Sequence, residues 1–198
     1  MLVSARLTVV ALLLAFGGCR APEVDDRAEA ARTVEEPAAA PAAIAITIDD
    51  LPWIGPVHEG ETQLNATDRL LAALRRHDAP AVGFVNCDRT NPRDPILQRW
   101  LDAGMTLGNH TAAHLDLNRA DLQQWLDDAR RCDAFLRELT GDSTILFRYP
   151  FLHQGPTPER REAARELLDE LESVNAHVTV DNSDWILAAA YGEAIRAG

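Results

Sequence analysis

Two adjacent carboxylates, Asp49 and Asp50, close the short apolar run Ile44-Ala-Ile-Thr-Ile48. Two histidines stand four apart in His110-Thr-Ala-Ala-His114. Arg148 follows a later apolar run, and Asp181 and Asp184 follow another. One carboxylate and two imidazoles form a three-donor set that leaves positions open on a metal, the catalytic rather than the structural pattern. The same set serves non-haem iron oxygenases. A second carboxylate beside such a site can act as a general base, and a neighbouring arginine favours its ionised form. Taken singly, each feature has a plainer reading. One Asp caps a turn while the other is solvated, the histidines are surface or capping groups, Arg148 and Asp184 make a structural ion pair, and Trp185 packs in a core. His110-x-x-x-His114 also lacks the Glu that follows the first His in the helical zinc-protease motif. Against the plainer readings, adjacent like charges repel and gain nothing from burial, so stability alone does not explain Asp49 beside Asp50.

A strand-helix rhythm positions these residues. Apolar, β-branched runs at 44–48, 81–85, 105–107, 145–147 and 176–180 read as buried strands of a parallel sheet. Between them lie helical patterns. The first runs from a Thr67 cap to His77, with Leu70, Leu71 and Leu74 inside; the second runs from Pro95 to Ala103, with Ile96, Leu97, Trp100 and Leu101 buried and Gly104 as its stop. The longest starts at Asn118 as N-cap, carries the stripe Leu122, Trp125, Leu126, Ala129, Cys132, Leu136 and Leu139, and ends at Thr140-Gly141. Thr157-Pro158 opens a fourth, N-cap followed by Pro at N1, and a last one begins near Trp185. Alternating units of this kind build a parallel α/β fold, whose strand C-terminal ends converge on one face. That convergence would gather the carboxylates, histidines and arginine however far apart they lie in sequence. A barrel and an open sheet are the choices; a closed eight-unit barrel usually takes about 250 residues, so a barrel here is either incomplete at its C-terminus or a fragment.

The remaining composition limits the partners. Hydrophobic residues make up 46% of the 198 and charged residues 25%, as in an ordinary globular chain. A formal net charge of -12 argues against nucleic acid, which requires a basic footprint, and is compatible with a neutral glycan. At the N-terminus Arg6 precedes the apolar stretch Leu7–Gly18, too short for a bilayer span of about 20 residues. Gly17-Gly18 before Cys19 resembles the lipobox of bacterial lipoproteins. Phe16 stands where the usual motif has Leu, which leaves an ordinary signal peptide as the alternative. Residues 1–18 are thus read as a signal peptide, 19–43 as a lipidated Cys19 with an Ala/Pro/Glu-rich tether, and 44–198 as the domain. The resulting location is the cell envelope, at the periplasmic face of a bacterial membrane. Cys87 and Cys132 read equally well as a disulfide or as free thiols.

Thr47-Ile-Asp49-Asp50, His110-Thr-Ala-Ala-His114, Arg148-Tyr-Pro-Phe151 and Asp181-Asn-Ser-Asp184-Trp185 resemble four of the five ordered motifs of the polysaccharide deacetylase family. This family is also called the NodB-homology domain or carbohydrate esterase family 4. The resemblance implies a distorted (β/α) barrel and a metal-dependent hydrolase that removes N- or O-acetyl groups from glycans such as peptidoglycan or chitin-like polymers. It implies Asp49 as catalytic base and Asp50, His110 and His114 as ligands of a divalent metal. Zinc comes first, with cobalt, manganese, iron and nickel as neighbours the donors accept. Arg148 would tune the base and Asp184 would fix Arg148. The Phe151 backbone N–H would hold the oxyanion, with Tyr149 and Trp185 also on the substrate side. The family's fifth motif, a late Leu-x-His that supplies the general acid, has no counterpart before Gly198, and neither His153 nor His177 matches its place. The alternative expectation is therefore a glycan-binding lipoprotein, or an inactive fragment, without turnover.

Overall fold

The computed structural model describes residues 44–197. The expected signal peptide, the lipidated Cys19 and the tether up to residue 43 lie outside the described residues. Five strands, β1 (Ile46–Leu51), β2 (Ala81–Val85), β3 (Thr106–Asn109), β4 (Leu146–Phe147) and β5 (Val174–Asn175), form one sheet in chain order. Every neighbouring pair is parallel. Helices α1 (Gln63–Arg76), α2 (Pro95–Asp102), α3 (Leu122–Thr140) and α4 (Pro158–Glu170) make the crossovers, and α5 (Asp184–Ala197) follows β5. Consecutive parallel strands joined by helices are the repeating unit of a (β/α) barrel. Among the described residues, no helix is long and apolar enough to cross a membrane.

The core lies in two clusters. One gathers Leu71 and Leu74 of α1, Ile96, Leu97 and Trp100 of α2, and Cys132 and Leu136 of α3 against the first three strands. The other packs Trp125 and Ala129 of α3 and Ala164, Leu167 and Leu168 of α4 around Phe147 and Tyr149. These are helical positions three and four apart, one face of each helix turned to the sheet. Cys87 and Cys132 form a disulfide, so the reading with free thiols is dropped.

Several element boundaries differ from expectation, each for a local reason. α1 is capped by Thr62, whose hydroxyl accepts the Asn65 N–H, while Thr67 lies inside the helix and donates its hydroxyl to the Gln63 carbonyl. Leu70 faces outward on that helix at 37% exposure. α3 is capped by Asp121, which accepts from the Gln124 N–H. Asn118 instead accepts from the Gly155 N–H across a loop. The fifth strand is Val174–Asn175, not 176–180: Val174 and Ala176 donate to the Ile145 and Phe147 carbonyls, and Val180 is left 85% exposed.

Candidate metal centre

The C-terminal end of β1 carries the paired carboxylates. The register shifts between Ile48 and Leu51, and Asp50 sits at φ 66, a left-handed conformation that a non-glycine residue adopts only when its surroundings enforce it. The shift turns Asp49 and Asp50 toward different neighbours instead of opposite faces of a regular strand. β3 ends in Asn109 and delivers His110 directly, and the loop to His114 holds Thr111 at φ 60 and His114 at φ 58. β4 delivers Arg148.

Asp50, His110 and His114 each offer a ligand atom, and these atoms lie within 4.8 Å of one another. His114 Nε2 stands 3.4 Å from Asp50 Oδ1. His110 Nδ1 lies 2.9 Å from the Arg148 carbonyl oxygen. A carbonyl can only accept, so Nδ1 carries the proton and Nε2 keeps its lone pair for a ligand role. Burial pushes His110 down to about 4 and also lowers His114, so both rings favour the neutral form. Asp50 Oδ1 is buried with no hydrogen-bond partner among the described residues. A buried carboxylate oxygen without a donor is costly, and a cation between it and two neutral imidazoles removes that cost. The donors fit a divalent metal.

Beside this trio, Arg148 is buried against the ring of Phe84, its guanidinium carbon 4.6 Å from the ring centroid. It donates through Nη1 to Asp49 at 3.4 Å, through Nη2 to Thr47 Oγ1 at 3.3 Å and through Nε to the Ala176 carbonyl at 2.8 Å. Burial raises the Asp49 pKa above the ordinary carboxylate range. Arg148 opposes that shift and the Asp184 charge adds to it. The arginine favours the ionised form, and burial outweighs it.

The expected contact of Asp184 with Arg148 is not made among the described residues: the Ala176 carbonyl takes the Nε donor and Asp184 is exposed. Tyr149 packs in the core, stacked on Trp125 at 5.7 Å and edge-on to Phe147 at 5.0 Å, and also lines a cavity with Arg148, Leu152 and Ala176. Trp185 is 66% exposed at the start of α5. Phe151 does stand at the centre, with φ 59 and its ring edge-on to His114 at 4.6 Å.

Other polar residues at the site went unread in the sequence. Asn86, directly after β2, donates to the His110 carbonyl, and Asn109 accepts the Thr111 N–H. Arg89 approaches Asp50 to 3.8 Å. His153, next to Phe151, pairs with Asp116 at 2.9 Å. A polar residue immediately after an apolar strand was the available signal for Asn86 and Asn109. The ion pairs had none, since each joins residues far apart in sequence.

Comparison with known proteins agrees with this frame. The polysaccharide deacetylase family matches residues 37–168. A peptidoglycan-N-acetylglucosamine deacetylase of Bacillus cereus is 24% identical over 144 residues, covering 73% of this chain and 46% of the relative. The chain thus spans about half the length of the curated relative it matches. Among solved structures, a family 4 carbohydrate esterase from Streptomyces lividans in complex with acetate aligns at TM-score 0.56 and 23% identity, over 73% of this chain and 66% of that one. A family 4 pseudoenzyme from Bacillus anthracis aligns at TM-score 0.56 and 19% identity, over 73% and 46%. These likenesses give the fold. The family match, which takes in well over half of the sequence, gives the membership: the chain belongs to the polysaccharide deacetylase family.

Proposed function

We propose that this domain is a metal-dependent deacetylase that hydrolyses N- or O-acetyl groups on a glycan. The observation that carries the reading is Asp50 Oδ1, a buried oxygen that receives no hydrogen bond among the described residues, beside two neutral imidazoles. Asp50, His110 and His114 hold the divalent cation, zinc first. When bound, such a cation lowers the pKa of a coordinated water and polarises an acyl oxygen. Asp49 takes the proton from the water that attacks the acetyl carbon. Its raised pKa suits a base that must bind a proton, while Arg148 beside it opposes the rise. The Phe151 N–H serves as a fixed donor to the developing oxyanion, a role consistent with a backbone held in an unusual conformation beside His114.

The substrate we infer is an N-acetylated envelope glycan of the peptidoglycan type, on the strength of the relative's name and of the leader expected at 1–18. A lipid on Cys19 and a tether through residue 43 would hold the domain at 44–198 to the periplasmic face of a membrane.

Metal titration of single variants tests the site. Asp50→Ala should weaken zinc binding by more than the roughly 10–100-fold typical of residues that only support a ligand. Asp49→Ala should bind zinc as wild type does while turnover falls by about 10²–10⁴. Equal zinc affinity in both variants would show that the ligands are misassigned.

A further inference from the structure

The segment that carries both histidines is held in a conformation it would not choose. Thr111 and His114, neither of them glycine, both have φ near 60°. Such residues are strained and persist only where the surroundings over-determine them. Here the surroundings can be accounted for group by group. The His110 N–H donates to Val85, and the His110 carbonyl accepts from Asn86. The Thr111 N–H goes to Asn109 Oδ1 at 2.8 Å. The Ala112 N–H goes to the Asp128 carbonyl, and the Ala112 carbonyl accepts the Asp88 N–H at 3.0 Å. The Ala113 N–H, last before His114, meets both carboxylate oxygens of Asp128 at 3.1 and 3.0 Å.

Two elements therefore grip the loop. The turn at Cys87–Arg89 holds one side, and α3 holds the other, with Asp128 supplying contacts from both its backbone and its side chain. The Cys87–Cys132 disulfide joins those two elements, one residue from Asp88 and one helical turn from Asp128. Asp128 is 1% exposed, one of two buried carboxylates on α3 with Asp133, and Arg131 pairs with it at 2.8 Å. A buried carboxylate at that place is unfavourable for α3 by itself. Of its partners, Arg131 offsets the charge, and the Ala113 N–H, which meets both carboxylate oxygens, ties it to the histidine loop.

We propose that Asp128 is the positioning residue of the metal centre, fixing the His110–His114 loop in its strained conformation so that the two imidazoles meet Asp50. The inference rests on the metal reading above. It predicts that losing Asp128 loosens the site without removing any ligand. The test is titration of the oxidised protein with cobalt(II), followed by calorimetry and by the visible absorption of the bound ion. Asp128→Ala should weaken cobalt binding about 10–100-fold, the range for partners that orient a ligand, and should shift the absorption bands. Asp128→Asn leaves one oxygen for the Ala113 N–H and should fall between alanine and wild type. Wild-type affinity with unshifted bands in the alanine variant would overturn the proposal. Should the alanine variant not fold, the same result in Asp128→Asn would do so. Failure of the wild-type protein itself to bind cobalt would instead overturn the metal reading.

Discussion

His110 shows how one side chain is prepared for its place. Its Nδ1 proton is committed to the Arg148 carbonyl, and burial holds the ring neutral. The folded protein lowers its pKa from 6.5 to about 4, so between those values the unfolded chain binds a proton that the folded one refuses. The stability this group contributes is therefore complete above pH 6.5 and is lost as pH falls toward 4. For the metal-free protein, urea midpoints measured from pH 7.5 to 4 should decline, with a contribution from His110 on the order of 3 kcal/mol. His110→Gln should flatten that part of the profile. An unchanged slope in the variant would mean that the ring is not buried neutral. The residues that meet at the centre were legible because strand ends converge, which places Asp49, Asp50, His110, His114 and Arg148 on one edge from spacing alone. Tyr149 was not, since nothing in Arg148-Tyr-Pro-Phe says that its ring turns back onto Trp125.

The elements were legible where burial is strong and uncertain where capping decides. β2 and the inner faces of α2 and α3 follow directly from apolar periodicity. The starts of α1 and α3 do not, because two residues able to cap lie near each of them. Thr67 and Asn118 found other hydrogen-bond partners, leaving Thr62 and Asp121 to the helices. The fifth strand was misplaced because Ala176–Val180 is as β-prone as Val174–Asn175, and only pairing with β4 selects between them. β3 carries a sharper constraint. A Cβ on Gly108 would stand 2.5 Å from the Phe84 ring and 2.9 Å from the Leu146 carbonyl oxygen. The ring is the surface on which the Arg148 guanidinium rests, and the carbonyl belongs to the neighbouring strand. Gly108→Ala should therefore destabilise the fold by about 1–3 kcal/mol and displace Arg148 from Asp49. Thermal unfolding reads the first effect and a lowered turnover the second. Wild-type values of both would mean that the strands are spaced more widely than described.

At the scale of the molecule, among the described residues, five parallel strands, two core clusters and one disulfide hold a constellation at one edge of the sheet. The motif order in the sequence carries over to the fold because the first three motifs stand at the ends of β1, β3 and β4, while Asp181–Trp185 lies past the end of β5. The family match covers residues 37–168, so Asp181–Trp185 lies beyond it, and there the expectations for Asp184 and Trp185 fit least well. The central claim is that the Asp50, His110 and His114 donors serve acetyl hydrolysis, with Asp49 as base. Acetate release from N-acetylglucosamine oligomers, followed with zinc-loaded protein, with chelator and with Asp49→Ala, tests it most directly. The account predicts release that needs zinc and drops about 10²–10⁴-fold without the Asp49 carboxylate. Release that persists in chelator or in Asp49→Ala would contradict it, and so would a zinc-loaded protein that releases none.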